Sequence, residues 1–217
     1  MKNVFVVFLG VMLLAGCATT KPSQSGFLGE YYQYLEPGPE GAAKMRWMKP
    51  GVDHTKYKKF MVDYVVFTLA DDSEYKGING DEMKQLGDAA SLALVNALKE
   101  RYPIVSEPGP DVARIKLAIV GLKQSRPVLS AVTTVIPVGL AVSLVKRGAT
   151  NAWTGSGATR AELLALDSMT NEVIGAAYDE YKAGFAERFS KWGSVEEAFK
   201  FWGERGTQYI DNYKGKK

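Results

Sequence analysis

Few side chains in this sequence are suited to chemistry. The 217 residues include one cysteine, Cys17, and one histidine, His54. A serine or cysteine nucleophile needs a neighbouring base, and His54 is the only histidine that could serve. Because no nucleophile-elbow motif accompanies it, we interpret His54 as a solvated histidine in the loop after Pro50-Gly51. The sequence therefore predicts a protein that is not an enzyme and has no catalytic site and no cofactor.

A group of acidic side chains between the first predicted strand and the first predicted helix could bind a hard cation. The acids are Asp71, Asp72, Glu74, Asp81 and Glu82. Their spacing is not that of an EF-hand loop, so we interpret them as solvated and expect no metal site. The stretch Thr154-Gly155-Ser156-Gly157 is glycine-rich but lacks the lysine of a phosphate-binding loop. We interpret it as a turn.

Cys17 has the clearest predicted chemistry. Met1-Lys2-Asn3 is a short basic start, residues 4–14 are an apolar run, and small residues precede the cysteine. This pattern is typical of a secretory signal peptide, and the run is too short for a permanent bilayer span. Leu14-Ala15-Gly16-Cys17 resembles the bacterial lipobox. The resemblance implies that the Cys17 thiol receives diacylglycerol, that a peptidase cuts between Gly16 and Cys17, and that the new amine is acylated.

The predicted lipid group indicates where the protein resides. One acyl chain anchors a protein marginally and two signals anchor it stably, so three chains make detachment negligible. Ala18, rather than Asp, follows the cysteine, which by resemblance to the sorting rule of enteric bacteria implies the outer membrane, with the domain facing the periplasm. We predict four parts: a signal peptide (1–16), the lipidated cysteine with a flexible tether (17–25), a single domain (26–213) and a basic tail (214–217).

Composition excludes two classes of protein. The formal net charge of +3 is close to balance, which argues against a nucleic-acid partner. Because the only cysteine is the predicted lipid site, neither a disulfide nor a cysteine metal cluster can form within the chain. The apolar content of 46% is typical of a folded globular domain.

Hydrophobic periodicity predicts both strands and helices in the first half of the domain. Residues 57–69 are rich in β-branched and aromatic side chains and predict a strand. Asn79 and Glu82 have the spacing of a helix cap, and apolar residues then recur at helical spacing until Tyr102-Pro103. Met45-Arg46-Trp47-Met48 is a candidate short strand.

The second half predicts a strand over residues 111–122 and a β-hairpin over residues 158–181. Asn171 lies in the hairpin turn, where a positive φ is useful and asparagine tolerates it. We therefore expect an α+β fold with a mixed sheet of about four strands and helices packed on one face. The expected order is strand, helix, strand, apolar segment, hairpin, helix.

Residues 128–145 contain no charged side chain. Their length would admit a membrane segment, but Pro137 and Gly139 interrupt it. One interpretation is a buried, broken helix that covers the sheet. The other is a contact surface against the membrane or a second subunit, with Val138 and Leu140 at the interface.

Ser194-Val195-Glu196-Glu197 predicts a capping box at the start of the final helix. Aromatic residues, including Trp202 and Tyr209, recur along one side of this helix. That spacing is typical of a core-facing side, and the alternative is that Trp202 and Tyr209 contact a partner. The basic tail, Lys214-Gly215-Lys216-Lys217, is interpreted as a solvated end, with contact to peptidoglycan as the alternative.

Four stretches carry a family resemblance. They are Gly26-Phe27-Leu28-Gly29-Glu30-Tyr31, Arg46-Trp47-Met48-Lys49-Pro50-Gly51, Ile136-Pro137-Val138-Gly139-Leu140, and the predicted hairpin over residues 162–172. Together they resemble an uncharacterised family of Gram-negative lipoproteins, domain of unknown function 3313. The resemblance implies a location and a fold but no activity. More distantly, Leu166-Asp167-x-x-Thr170-Asn171-Glu172 is similar to a turn in periplasmic lipoproteins related to the curli secretion channel and to activators of penicillin-binding proteins, where Gly stands in place of Asn171.

Two functions are consistent with these patterns. We expect an outer-membrane-anchored lipoprotein whose periplasmic domain is a non-catalytic interaction module that binds another envelope protein or peptidoglycan. The alternative is a self-assembling structural or secretion-related lipoprotein, a homo-oligomer that uses residues 128–145 for membrane or subunit contact.

Overall fold

The computed structural model describes residues 23–74, 77–123, 157–183 and 193–215. The predicted signal peptide, the cleavage site at Gly16 and Cys17, and the segment 128–145 with Val138 and Leu140 lie outside these residues.

A long antiparallel hairpin forms the middle of the sheet. Strand β6 (Ala158–Asp167) pairs with strand β7 (Val173–Lys182). Asn171 has φ 57° in the turn, and the Asp167 side chain accepts hydrogen bonds from turn amides, including that of Thr170 at 3.1 Å. The predicted hairpin and the positive φ of Asn171 are therefore confirmed.

Strand β5 (Val112–Lys123) joins the hairpin to a parallel edge. One side of β5 pairs antiparallel with β6, and its other side pairs parallel with two short strands. Those are β3 (Lys59–Val62) and β4 (Val66–Phe67). On the far side of the hairpin, β2 (Met45–Met48) pairs with β7, and β1 (Glu36–Pro37) pairs with β2. Across the sheet the order is β1-β2-β7-β6-β5-β3, with β4 also on β5.

The α+β class and the mixed sheet are as predicted, but the number of about four strands is wrong. The described residues form seven strands, because short edge strands depend on partners distant in sequence. Along the chain, four short strands precede the first helix, so the predicted order of elements is also wrong.

The predicted strand over residues 57–69 is in fact two strands, because the chain leaves the ladder between β3 and β4. Asp63 pairs with Arg114, with its Oδ1 2.8 Å from the Nε. Val65 is fully buried, and its amide donates to the Ser91 hydroxyl of the first helix at 3.1 Å. These two contacts replace strand pairing at this point.

Two helices cover one face of the sheet. Helix α1 (Gly80–Lys99) begins at the predicted cap, where the Asn79 side chain accepts from the Glu82 amide at 2.9 Å. Helix α2 (Gly193–Gly215) packs beside it, and both contribute buried apolar side chains to the same core, among them Phe199. Of the described residues, neither helix has the combined length and apolar character that crossing a membrane requires.

Strand β5 is buried on both of its faces. Ile119 lies in the core under the helices, whereas Ala118 and Val120 belong to a second core on the opposite face. A bulge between Ile119 and Gly121 then returns Leu122 to the helix side, because one extra residue reverses the alternation of a strand.

The N-terminal part of the domain covers that second face. It contains a 3-10 helix, Gly29–Tyr34, and packs Phe27 and Leu35 against Met45 and Tyr178. The sheet is therefore a middle layer, with helices on one side and the N-terminal segment on the other.

The contact between α1 and α2 depends on a glycine. A Cβ at Gly203 would lie 2.4 Å from the Cβ of Ala97, whereas a Cβ at Gly206 would meet nothing within 4 Å. We expect Gly203→Ala to lower the free energy of unfolding, because the helices must separate. Gly206→Ala should raise it by about 0.5–1 kcal/mol, since alanine is the better helix former. Urea unfolding of both variants measures the difference, and equal stabilisation by both would contradict the close helix contact.

Candidate functional site

A cavity of about 270 Å³ lies between α2 and the face of the sheet that the helices cover. Strands β2, β5, β6 and β7 form its floor, and both aromatic residues singled out in the last helix line it: Trp202 and Tyr209. These two side chains therefore face the sheet. Val138 and Leu140, the other candidate interface residues, lie outside the described residues.

Small side chains on neighbouring strands leave room for the cavity. Ala165, Gly175 and Ala177 lie on β6 and β7 beneath α2 and line it. Because these side chains end at Cβ or earlier, they do not fill the space up to the helix. Ala165 and Ala177 consequently remain partly accessible although they lie in the middle of the sheet.

Asp179 attaches α2 to the sheet at one end of the cavity. Its carboxylate accepts from the Trp202 indole N–H at 3.1 Å and from the Arg205 guanidinium at 3.1 Å. It also accepts from the Lys44 amide at 3.1 Å. Burial raises the pKa of Asp179, and the positive charge of Arg205 opposes that rise. The contacts from α2 compensate the carboxylate for its lost hydration.

Arg46 brings a positive charge to the cavity from strand β2. Its guanidinium donates to the Tyr209 hydroxyl and lies 5.1 Å from the centre of the Tyr209 ring. Among the described residues no carboxylate forms an ion pair with Arg46. The tyrosine holds the cation in place without neutralising it.

His54 lies at the other end of the cavity and is not the solvated loop residue that the sequence suggested. It begins a short 3-10 helix, His54–Lys56, is half-buried, and lines the cavity. Burial lowers the pKa of its imidazole below the usual value, and the hydrogen bond to the Lys49 carbonyl opposes this shift without reversing it. Tyr57 follows three residues later, and its hydroxyl donates a hydrogen bond to Asp167 at 2.9 Å.

Two of the acids considered for a metal site, Asp72 and Glu74, form ion pairs with basic side chains. The Asp72 carboxylate accepts two hydrogen bonds from the Arg160 guanidinium, at 2.7 and 2.9 Å. Glu74 forms an ion pair with Lys123 at 2.8 Å. Within the described ranges, no three His, Cys, Asp or Glu side chains are arranged to hold a metal ion. Of the glycine-rich stretch, only Gly157 is described.

A buried carboxylate on the opposite face of the sheet escaped the sequence analysis. Glu162 on β6 is 0% exposed, and two hydroxyls of the N-terminal segment donate to it. The distances are 2.7 Å from Ser25 and 2.8 and 2.9 Å from Tyr32. Burial raises the pKa of Glu162 above its usual value. The hydrogen bonds from Ser25 and Tyr32 oppose this rise without cancelling it. The start of the domain is thereby fastened to the middle of the sheet.

Strand alternation was the available signal for Glu162. In β6, Ala161, Leu163 and Ala165 point to the helices, so Arg160 and Glu162 point to the other face. No local sequence pattern places the N-terminal segment over that face. Arg46 was likewise predicted only within a short strand and a stretch of family resemblance, with no role in a binding site.

A family model described as "Protein of unknown function (DUF3313)" matches residues 23–205. No curated protein matches the chain significantly. Three solved structures are similar in outline. The PelC dodecamer from Paraburkholderia phytofirmans is 10% identical, covers 72% of this chain and 94% of its own, and gives a TM-score of 0.38.

The other two are a DUF330 protein, XCC0632 of Xanthomonas campestris, and a DUF4136 protein, BT2437 of Bacteroides thetaiotaomicron. The first is 7% identical, covers 78% of this chain and 94% of its own, and has a TM-score of 0.37. The second is 10% identical, covers 76% and 94%, and has a TM-score of 0.31. At these scores and identities the likeness is too weak to support an argument about this protein's fold or assembly.

The raised pKa of Glu162 predicts a dependence of stability on pH. A carboxyl group whose pKa is higher in the folded protein stabilises the fold at pH values below its pKa in the unfolded chain, near 4.5. This contribution is lost as the pH rises through the pKa of the folded protein. Glu162→Gln keeps the size of the side chain but cannot ionise. We expect the free energy of unfolding of the wild type, relative to this variant, to fall as the pH rises from 4.5. Urea unfolding at several pH values measures it, and a constant difference would show that Glu162 is not shifted.

Proposed function

The chain belongs to the DUF3313 family of proteins of unknown function, and we propose that it is a lipoprotein of the outer membrane whose periplasmic domain is a non-catalytic binding module. The proposed partners are another envelope protein or peptidoglycan. The observation that carries the binding role is the cavity between α2 and the sheet, because an apolar cavity with a few polar groups is the usual form of a binding site.

The contacts of His54 support a binding role rather than catalysis. A nucleophilic mechanism needs a nucleophile within hydrogen-bond reach of its base. The Nε2 of His54 lies 3.4 Å from the Lys49 carbonyl oxygen, which is not a nucleophile, and burial lowers the pKa of the ring. The polar groups around the cavity hold α2 on the sheet, as Asp179 and Arg205 do.

The attachment of the N-terminal segment supports anchoring close to the membrane. Ser25 is bonded to the buried Glu162, so the chain leaves the domain at a defined point on the sheet. Ser25 follows Cys17 by only eight positions, and eight steps of about 3.5 Å per extended residue reach roughly 28 Å. A lipid on Cys17 would therefore keep the domain within roughly that distance of the bilayer.

Replacing Cys17 tests the proposed anchor. We expect Cys17→Ser to abolish incorporation of labelled palmitate, because the acylated thiol is absent, while the domain still folds. Ala18→Asp is the matched control, since it keeps the cysteine and should stay acylated but be retained at the inner membrane. Labelling in cells and density-gradient separation of the two membranes give both results. Continued acylation of the Cys17→Ser protein would contradict the proposal.

Crosslinking in intact cells tests the binding role. We expect crosslinks to an envelope protein of a different sequence or to peptidoglycan, and we expect them to weaken in Cys17→Ser, because the unanchored domain loses its proximity to the envelope. Crosslinks that join only copies of this chain, together with an oligomeric mass in detergent, would instead support the alternative of a self-assembling lipoprotein.

A further inference from the structure

The walls of the cavity between α2 and the sheet are suited to an apolar ligand. Side chains from four strands and the helix surround it, and most are hydrocarbon. They include Met48, Ile115, Leu117, Leu163, Ile174 and Ile210. A ligand inside therefore gains mainly by removing apolar surface from water.

An extended peptide or a glycan would fit the inside of the cavity poorly, so an envelope partner of either kind would contact its rim and leave the inside to a different ligand. An extended peptide brings an N–H and a C=O with every residue, and each must be hydrogen-bonded when buried. A sugar brings several hydroxyls with the same requirement. An acyl chain has no polar group except at one end, so it meets the walls without an unsatisfied donor or acceptor.

The charges around the cavity place that polar end at Arg46. Arg205 is paired with Asp179 at 3.1 Å, and the Glu162 carboxylate points to the other face, where Ser25 and Tyr32 bind it. Arg46 thus remains as a cation without a carboxylate partner among the described residues. Guanidinium groups bind carboxylates through paired, charge-assisted hydrogen bonds.

His54 also lines the cavity, and burial lowers the pKa of its imidazole, which favours the uncharged ring that an acyl chain can contact. The volume of about 270 Å³ lies just below the usual range of ligand sites, about 300–1,000 Å³. That size favours a single chain over a lipid with two.

We propose that the cavity binds one long-chain fatty acid, with the acyl chain between α2 and the small residues of β6 and β7 and the carboxylate on Arg46. This inference rests on the proposed binding role and names a ligand for it.

The test uses palmitic acid with a photoreactive diazirine near the end of its chain. The full lipidated protein, purified in cholate, is irradiated with this probe and the labelled residues are identified by mass spectrometry. We expect label on residues of the cavity, such as Leu163 and Ile174. Unlabelled palmitate should compete about tenfold better than its methyl ester, because the ester lacks the charge that Arg46 binds.

Three variants sharpen the test. Ala177→Leu fills the cavity and should reduce labelling about tenfold, whereas Ala89→Leu makes the same change at an exposed site on α1 and should label as the wild type does. Arg46→Gln keeps a donor for Tyr209 but should remove the preference for the acid over the ester. Thermal unfolding confirms that each variant is folded, and Ala165→Leu replaces Ala177→Leu if the latter is not.

Several results would overturn the inference. They are the absence of labelling, equal labelling of Ala177→Leu and wild type, and equal competition by acid and ester. A photoreactive amino acid at position 177 that crosslinks to residues 128–145 or to a second copy would identify another occupant and would equally overturn it. If fatty-acid labelling fails while the crosslinks to envelope partners persist, the ligand is wrong and the binding module stands.

Discussion

A carboxylate buried in the middle of a sheet determines how the N-terminal part of this domain must fold. Glu162 has no exposed surface, and a carboxylate loses several kcal/mol of hydration on burial unless polar groups replace the water. The replacements are hydroxyls of Ser25 and Tyr32, both from the first residues described. The bonds to Glu162 and the packing of Phe27 on the same face therefore depend on each other.

The two faces of the sheet are covered differently, and the difference explains where the cavity lies. On one face the N-terminal segment packs directly on large side chains such as Met45 and Tyr178. On the other, α2 is held away from small residues of β6 and β7 and is fixed at its edge by Asp179. Because a helix is rigid, α2 cannot bend toward the alanine and glycine residues of the strands, and space remains between the helix and the sheet.

The elements that were predicted correctly have local causes. The cap at Asn79, the helix that follows it and the turn at Asn171 depend on residues within a few positions of each other. Strands β1, β3 and β4 were missed or merged because each is defined by a partner distant in the chain. The residues of the site show the same contrast between local and distant causes. Helical spacing identified Trp202, whereas nothing near Arg46, Asp179 or Glu162 in the sequence distinguished them from solvated charges.

Short stretches of sequence were enough to identify the α+β class, the hairpin, the core-facing side of the last helix and the family, which the family model confirms. These follow from short-range patterns, because backbone preferences and side-chain periodicity act over a few residues. The folded arrangement was needed to show which charges are buried, which residues meet across the sheet and where a cavity remains. Those outcomes depend on pairing between distant segments, such as Glu162 with Tyr32 and Arg46 with Tyr209, and no local pattern in the chain encodes such a pair.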